Sequence, residues 1–252
     1  MSVMDRELAQ ALEAAKAAHF DARGAACDYA ALSASPERAR LAACLAALEG
    51  FDIRRAHIPS QMAFWINVFN AAVLRDASEL RRAASVREVE AFFERSRLTV
   101  GAHGYSLDDI QHGLLRGNVA KQGRSRPPMA SGDPRLEYVP ILFDERAHFG
   151  LHSACTSSPP LRVFDGGKLD RELEAATADY VRRNVQVQSD GAVIVVPRLF
   201  RWFAADFGDE KGIVEFVVAR IDDEAAVDAV DRRRGRVRVK YADYDWTLNA
   251  RK

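Results

Sequence analysis

The sequence has few cysteines and no surplus of charge of either sign. Only three cysteines occur among its 252 residues, Cys27, Cys44 and Cys155. A sparse and odd set does not form a disulfide framework and is typical of a reducing compartment. Lys plus Arg total 36 and Asp plus Glu total 36, so the formal net charge is zero. This balance argues against a protein that binds nucleic acid through bulk positive charge, although it is compatible with a local basic patch.

Long apolar runs and a leader-like segment are also lacking. No stretch approaches the ~18 consecutive apolar residues that a membrane-spanning helix needs. The N-terminal segment carries Asp5, Arg6 and Glu7 where a signal peptide would be apolar. We therefore expect a cytoplasmic protein without a membrane partner.

Signature motifs of common cofactors are missing as well. The sequence contains no P-loop, no dinucleotide-binding fingerprint and no G-x-S-x-G nucleophile elbow. We therefore predict no cofactor, and we expect a small-molecule or peptide-like substrate instead of nucleic acid.

Apolar residues are abundant enough for a sizeable core, since 48% of the residues are hydrophobic and 29% are charged. Residues 61–77 are apolar on nearly all sides, which predicts a buried helix. Two polar residues in this segment, Asn67 and Asn70, lie three apart on one side. Because buried amides need partners, these two side chains either tie down loops or face a cleft.

The order of the predicted elements favours an α+β fold. Helical periodicity dominates residues 1–50, whereas turn signals predict hairpins within residues 98–105 and at Asp190-Gly191. Residues 236–241 alternate between apolar and polar, as in a strand with one exposed face. Helices come first and strands mix with helices later, which is typical of an α+β domain and not of a doubly wound sheet. We find no linker and predict one domain over residues 1–252.

The densest cluster of reactive side chains belongs to a predicted buried strand at residues 147–151 and the turn after it. His148, His152, Ser153 and Cys155 lie in this segment. A thiol becomes nucleophilic when an imidazolium or a helix N-terminus lowers its pKa, and two histidines are near in sequence. The alternative is a packed strand and turn in which Cys155 is an inert small hydrophobic residue.

A second candidate site is predicted on a helix that follows Ser106. Asp109 precedes His112 by three residues and Asp108 by four, spacings at which a carboxylate orients an imidazole that acts as a general base. The alternative is a helix N-cap followed by a solvated histidine. Gly113 is unusual in mid-helix and indicates a close approach of another backbone or a ligand. Residues 117–135 are rich in Gly, Ser, Pro and Arg, which predicts a long surface loop that is a lid or disordered.

Five sequence runs, taken in this order, resemble the domain-of-unknown-function 547 family over about residues 20–249. The resemblance implies a helix-rich α+β single domain similar to papain-like or transglutaminase-like proteins. It implies a buried central helix packed on a small antiparallel sheet, with the N-terminal helices of residues 1–50 packed onto the domain. It also places the strongest polar positions of the family on Asn67, Asn70, Asp109, His112, Arg116 and His148. The runs are AFWINVFNAAVL, YSLDDIQHGLLRGN, HFGLHSACTSSPPLRVF, LFRWFAADFG and YDWTLN.

The sequence departs from the family at two positions where cysteines are usual, which are Ser153 and Ser158 here. Cys155 is the only thiol nearby. If the chemistry of the family needs a cysteine, this protein has moved the cysteine, replaced it with serine, or lost the reaction.

The leading hypothesis is a hydrolase or acyltransferase that acts on an amide, ester or thioester. Cys155 or Ser153 would attack the carbonyl carbon, His112 or His148 would act as base, and Asp109 would orient His112. One alternative is a non-catalytic binding module that has lost the family cysteines. The other is a metal-assisted enzyme that uses the His/Cys cluster, although its spacing fits no common zinc pattern, so we predict no metal site. The residues expected to bind substrate are Asn67, Asn70, Arg116 and His152.

Overall fold

The computed structural model of the chain describes residues 3–80, 84–233 and 235–251. About 52% of the chain is helical, and two small sheets accompany the helices. Contacts divide the chain into two compact units. The first unit is Met1–Leu173 with Trp246–Lys252, and the second is Glu174–Asp245. The predicted helix-rich α+β class is confirmed.

The first unit begins with helices α1 (Val3–His19), α2 (Tyr29–Ser33) and α3 (Pro36–Ala46). Local signals start two of them. The Asp28 carboxylate accepts a hydrogen bond from the Ala31 amide at 2.9 Å, and the Ser35 hydroxyl accepts one from the Arg38 amide at 3.1 Å. Such caps satisfy amides that have no partner inside a helix, so the sequence itself determines where these helices begin.

Helix α4 (Ile58–Ala77) is the buried centre of the first unit. Every residue from Met62 to Leu74 is buried, and α1 and α3 both contact this helix. It also packs on a hairpin of strands β1 (Arg97–Val100) and β2 (His103–Ser106), because the rings of Trp65 and Tyr105 lie 5.0 Å apart. The predicted buried helix on a small antiparallel sheet is confirmed.

Short helical segments complete the first unit. Helix α5 (Phe92–Arg95) precedes β1, and a π-helix (Asp109–Leu115) follows β2. In a π-helix each amide bonds to the carbonyl five residues back, as the Arg116 amide does with the Gln111 oxygen at 3.1 Å. Turns of 3₁₀ helix occupy Ala47–Gly50, Val86–Glu88, Pro134–Tyr138 and Glu145–Phe149.

The predicted buried strand at residues 147–151 is wrong. The chain forms the 3₁₀ turn Glu145–Phe149 there, and the Asp144 carboxylate caps this turn by accepting a hydrogen bond from the Arg146 amide at 2.9 Å. The capping aspartate is a helix-start signal that outweighs the apolar run after it. His148 therefore lies on a turn, and the strand argument that pointed His148 and His152 in one direction does not apply.

The second unit is a small mixed sheet with helices. Helix α6 (Leu169–Asn184) leads into strands β3 (Gln186–Val187) and β4 (Val193–Val196), which form the predicted antiparallel hairpin. Strand β5 (Arg238–Tyr241) pairs with β4 in parallel, as the intervening helices allow. Those helices are α7 (Arg198–Trp202), a 3₁₀ turn (Ala204–Phe207), α8 (Asp209–Val218) and α9 (Glu224–Arg232).

In the part of the chain that the structure describes, no helix is both long and apolar enough to cross a bilayer.

Candidate functional site

A charged cavity of about 560 Å³ opens in the first unit. Its wall combines β1, the start of the π-helix and the loop that follows the π-helix. Five of its residues are cationic, three are acidic, and Pro128 is the one apolar member of the set. The lining residues are Glu94, Arg97, Ser106, Asp108, Asp109, His112, Lys121, Arg124, Ser125, Arg126, Pro128 and Arg135.

A reciprocal cap fixes the start of the π-helix at the cavity. The Ser106 hydroxyl accepts from the Asp109 amide at 3.0 Å, and the Asp109 carboxylate accepts from the Ser106 amide at 2.8 Å. The same carboxylate pairs with Arg135 at 3.2 Å and with Arg97 at 3.5 Å. Asp109 was expected to orient His112, but its carboxylate is used by the cap and the two guanidinium groups.

The carboxylate nearest to the His112 ring is that of Asp108. Its oxygen lies 3.9 Å from His112 Nε2, while Arg116 Nη1 donates a hydrogen bond to His112 Nδ1 at 2.9 Å. A guanidinium group can only donate, so Nδ1 must accept and the ring proton resides on Nε2. This contact favours a neutral imidazole whose Nε2–H faces Asp108. Arg116 itself is buried behind the ring and does not line the cavity.

Asp108 connects the π-helix to the loop that follows it. Lys121 Nζ lies 2.6 Å from the Asp108 carboxylate. Burial raises the pKa of Asp108 above its ordinary value, and the Lys121 ammonium offsets part of that rise. A carboxyl group with a raised pKa on a cavity wall is characteristic of functional sites.

Residues 118–129, which we call the strap, cover one side of the cavity. Asn118 closes the strap, because its amide donates to the Met129 carbonyl at 2.9 Å and accepts from the Met129 amide at 3.1 Å. The missing side chain of Gly113 makes room for the strap, since a Cβ there would lie 2.7 Å from Met129 Cε. The close approach expected at Gly113 is therefore made by a side chain. The strap contains no regular helix or strand, as predicted for a loop.

The cations of the cavity exceed its carboxylates. Glu94 pairs with Lys121 at 3.7 Å and with Arg124 at 3.3 Å. Arg97 and Arg124 have side chains that are each 66% exposed, so most of their N–H groups face solvent. Within the described residues, Arg126 makes no ion pair and no hydrogen bond. Sequence reasoning missed these cations as a group, although the Arg-rich composition of residues 117–135 was a usable signal.

Cys155 and Ser153 lie in a different environment from the cavity. The Cys155 side chain is buried, and its Sγ donates to the Ser153 carbonyl at 3.0 Å. Ala154, between them, has a φ of +57°, which is strained for a residue with a side chain. Neither Cys155, Ser153 nor His148 lines the cavity that contains His112. The structure thus does not place the expected nucleophile and the expected base His112 on one cavity wall.

His152 occupies an interior position. It has no exposed surface, and Nδ1 donates to the Pro159 carbonyl at 2.9 Å. The Asn249 amide lies 3.5 Å from Nε2 and donates to it. Burial lowers the pKa of His152 to about 4, so the ring is neutral at physiological pH. His152 was predicted to bind substrate, and in the structure both of its ring nitrogens have protein partners. His148 is also buried, with its ring 6.5 Å from the ring of Phe143.

The amides of Asn67 and Asn70 hold loops onto α4. Asn67 donates to the Phe164 carbonyl at 2.8 Å and accepts from the Phe164 amide at 3.0 Å. Asn70 donates to the Gly150 carbonyl and accepts from the His152 amide, both at 2.9 Å. Of the two alternatives for these residues, the structure supports loop attachment. Both side chains were predicted to bind substrate, and in the structure each amide is hydrogen-bonded to backbone groups.

The described residues contain no group of three His, Cys, Asp or Glu side chains placed to hold a metal ion. The metal-assisted alternative would draw on His148, His152 and Cys155, with His112 as a fourth donor. His112 lies on the cavity wall, whereas His152 is enclosed in the interior. The donor set that the alternative required is therefore not assembled.

A family model described as "Protein of unknown function, DUF547" matches residues 54–181, which is half of the chain. The chain belongs to the DUF547 family. The matched segment contains α4, the hairpin, the π-helix, the strap and the Cys155 turn. Every residue that lines the charged cavity therefore lies inside the DUF547 region. Searches of curated proteins and of solved structures found no match.

Proposed function

We propose that this DUF547 protein binds an anionic small molecule in the charged cavity beside the π-helix. The observation that carries the proposal is the excess of guanidinium groups over carboxylates on the wall, where Arg126 makes no ion pair or hydrogen bond with any described residue. This is a form of the binding-module alternative, with a site that does not depend on the family cysteines.

The carboxylates of the wall do not cancel this excess. The Asp108 carboxylate pairs with Lys121. The Asp109 carboxylate pairs with Arg135 and accepts the capping hydrogen bond from the Ser106 amide. Arg135 is shared with Asp133, a carboxylate behind the wall, at 2.7 Å. Arg97, Arg124 and Arg126 therefore keep most of their donors for a ligand, and charge-assisted hydrogen bonds to an anion are among the stronger polar contacts.

A thermal-shift experiment tests the proposal. Phosphate, sulfate, malonate and citrate are each compared with chloride at equal ionic strength. At least one multivalent anion is expected to raise the Tm above the chloride value, because binding to the folded state adds stability. Arg126→Gln is expected to reduce the rise, whereas Arg171→Gln, at an exposed arginine outside the cavity, leaves it unchanged. Equal Tm values in all salts would refute the proposal.

Acyl transfer by Cys155 is a second candidate function. The observation that favours it is the positive φ of Ala154 directly before Cys155, because such strain concentrates at functional sites. His148 would accept the thiol proton as Cys155 attacks the carbonyl carbon of an amide, ester or thioester, and the amine, alcohol or thiol would leave with that proton as the acyl thioester forms on Cys155. Water would then hydrolyse this thioester and restore the thiol. A cysteine nucleophile of this kind would accord with the papain-like likeness that the family resemblance implies.

Activity-based measurements test this second function. Hydrolysis of thioester and ester substrates is followed in the wild type, in Cys155→Ala and in Cys44→Ala, which alters a half-buried thiol on α3. Loss of hydrolysis in Cys155→Ala alone would support acyl transfer. Equal rates in all three proteins, or no rate in any, would count against it and leave the anion-binding proposal untouched.

A further inference from the structure

We infer that the ligand of the charged cavity carries a phosphate monoester group held by Arg97, Arg124 and Arg126. The inference rests on the proposed function and narrows it to one chemical class. It follows from the number of unused donors, from the two chain segments that supply them, and from the charge and polarity of the wall.

The three arginines have donors to spare. A guanidinium group has five N–H donors. Arg97 forms an ion pair with Asp109 at 3.5 Å, and Arg124 forms one with Glu94 at 3.3 Å. Arg126 forms no ion pair within the described residues. A carboxylate offers two oxygens, so it leaves most of these donors unused. A phosphate monoester offers three terminal oxygens that each accept more than one hydrogen bond, and planar guanidinium forks match it well.

The donors also come from separate parts of the chain. Arg97 belongs to β1, whereas Arg124 and Arg126 belong to the strap. A flat carboxylate places both of its acceptors in one plane, while a tetrahedral phosphate presents acceptors in three directions. Donors supplied by two different segments around one cavity therefore fit a tetrahedral oxyanion.

Charge favours a monoester over a diester. The wall has five cationic side chains and three carboxylates, so its net charge is two positive charges. When Asp133, which pairs with Arg135 from outside the wall, is counted as well, the net charge is one positive charge. A monoester carries close to two negative charges at neutral pH, whereas a diester carries one. The Coulomb attraction to this wall is therefore larger for the monoester.

The residues of the cavity wall limit which chemical group can carry the phosphate. Among the described residues that line the cavity there is no Phe, Tyr or Trp, so a nucleobase would lack an extended aromatic ring to stack on. Pro128 is the one apolar residue of this described lining, so an acyl chain would lack an apolar wall. The volume of about 560 Å³ admits a small molecule. The geometry points to a phosphate on a small polar body such as a polyol.

Calorimetric titration of the full chain at pH 7.5 with three small probes tests the inference. Methyl phosphate is the dianion, dimethyl phosphate is the matched monoanion with the same tetrahedral phosphorus, and malonate is a dianion with flat carboxylates. Methyl phosphate is expected to bind at least about tenfold more tightly than dimethyl phosphate and more tightly than malonate. Equal binding of the two phosphates, or tighter binding of malonate, would overturn the monoester assignment while leaving anion binding in place. Absence of binding by all three, with no Tm shift in any salt, would overturn both.

Variants locate the binding. Arg126→Gln and Arg124→Gln are each expected to weaken methyl phosphate binding about tenfold or more, since each removes charged donors from the anion. Arg171→Gln, outside the cavity, is the matched control and is expected to bind like the wild type. Because Arg126 is exposed and makes no ion pair or hydrogen bond within the described residues, its substitution is not expected to affect folding. Unchanged binding in both cavity variants would overturn the assignment.

Discussion

Burial and hydrogen bonding together decide the protonation state of His152. The ring is enclosed, and burial lowers the pKa of the imidazole to about 4, while the hydrogen bond that Nδ1 donates to the Pro159 carbonyl acts in the opposite direction. In the unfolded chain the same ring titrates near its ordinary value of 6.5. Between these two values the unfolded state binds a proton that the folded state excludes, so His152 adds stability at neutral pH that is lost as the pH falls.

We predict that His152 makes the protein less stable in mild acid. Its contribution to the free energy of unfolding should fall by about 2–3 kcal/mol between pH 7 and pH 4.5. Urea unfolding of wild type and His152→Gln at both pH values measures this, and the variant should lose that much less stability. An NMR titration of the His152 ring provides a check that does not depend on the variant, and protonation of the ring near pH 6.5 would contradict the prediction.

The comparison with a variant is needed because Asp5 has the opposite effect in the same range. Burial raises the pKa of this carboxyl to about 6. Its folded-state pKa lies above the ordinary value, so Asp5 adds stability at low pH that is lost as the pH rises towards 6. The wild-type pH profile therefore combines opposing contributions from several groups, and only the difference between wild type and the His152 variant isolates the histidine.

We predict that Asn67 is required for folding and not for ligand binding. Asn67→Leu keeps a similar size but leaves the buried amide and carbonyl of Phe164 without partners. The expected loss is about 3–5 kcal/mol in the free energy of unfolding, measured by urea denaturation. Asn184→Ala, which removes one hydrogen bond to the Tyr180 carbonyl, should lose no more than about 1 kcal/mol. A stable Asn67→Leu protein with weakened anion binding would contradict the assignment.

At the scale of elements, the π-helix and the strap depend on each other. The Val119 amide donates to the His112 carbonyl at 3.0 Å, and Met129 packs where Gly113 has no side chain. The strap in turn supplies Lys121 to Asp108 at the start of the helix. The wide π-turn and the covering loop therefore form one structure around His112.

We predict that Asn118 controls the opening of the strap. Asn118→Gly and Asn118→Ala both remove the paired hydrogen bonds to Met129, so trypsin should cut faster after Lys121 and Arg124. Asn118 has a φ of +63°, so the alanine variant should lose about 1 kcal/mol more than the glycine variant. The Lys16 and Lys168 cleavage sites serve as internal controls. A cleavage pattern identical to that of the wild type would contradict the role of Asn118.

At the scale of the whole molecule, distant segments of the chain meet in the first unit. The Thr247 carbonyl accepts from the Thr156 amide at 2.8 Å, and the Asn249 carbonyl accepts from the Cys27 amide at 2.9 Å. The Asn249 side chain accepts from the Tyr29 hydroxyl at 2.7 Å. Residues 246–251 thus complete hydrogen bonding for segments from both the beginning and the middle of the chain, although they lie outside the matched family region.

We predict that removal of residues 246–252 severely destabilises the first unit. The truncation leaves several buried backbone groups and the Tyr29 hydroxyl without partners, and each costs about 1–3 kcal/mol. The unfolding midpoint in urea should fall far below that of Asn249→Ala, which removes the side-chain bonds alone. A truncated protein as stable as that single variant would contradict the role of the segment.

The sequence determined most of the local structure. Ser35-Pro36 marked the start of α3, the apolar run of residues 61–77 marked the buried helix, and Asp190-Gly191 marked a hairpin. These signals succeed because caps, turns and periodicity act over a few residues. The family resemblance followed from motifs for the same reason, since its runs are contiguous.

Only the tertiary structure decided which side chains meet. In the structure Cys155 does not line the cavity that contains His112. The Asp109 carboxylate bonds to the Ser106 amide and pairs with two arginines, and the Asn67 side chain bonds to the backbone of a loop. Sequence spacing cannot supply these answers, because the partners of Asn67 and of the Cys155 turn lie roughly 90 residues or more away along the chain. The structure therefore changes how the cysteine content and the charge balance are interpreted. A zero net charge conceals a cavity whose cations exceed its carboxylates, and that local excess arises because folding brings β1 and the strap together.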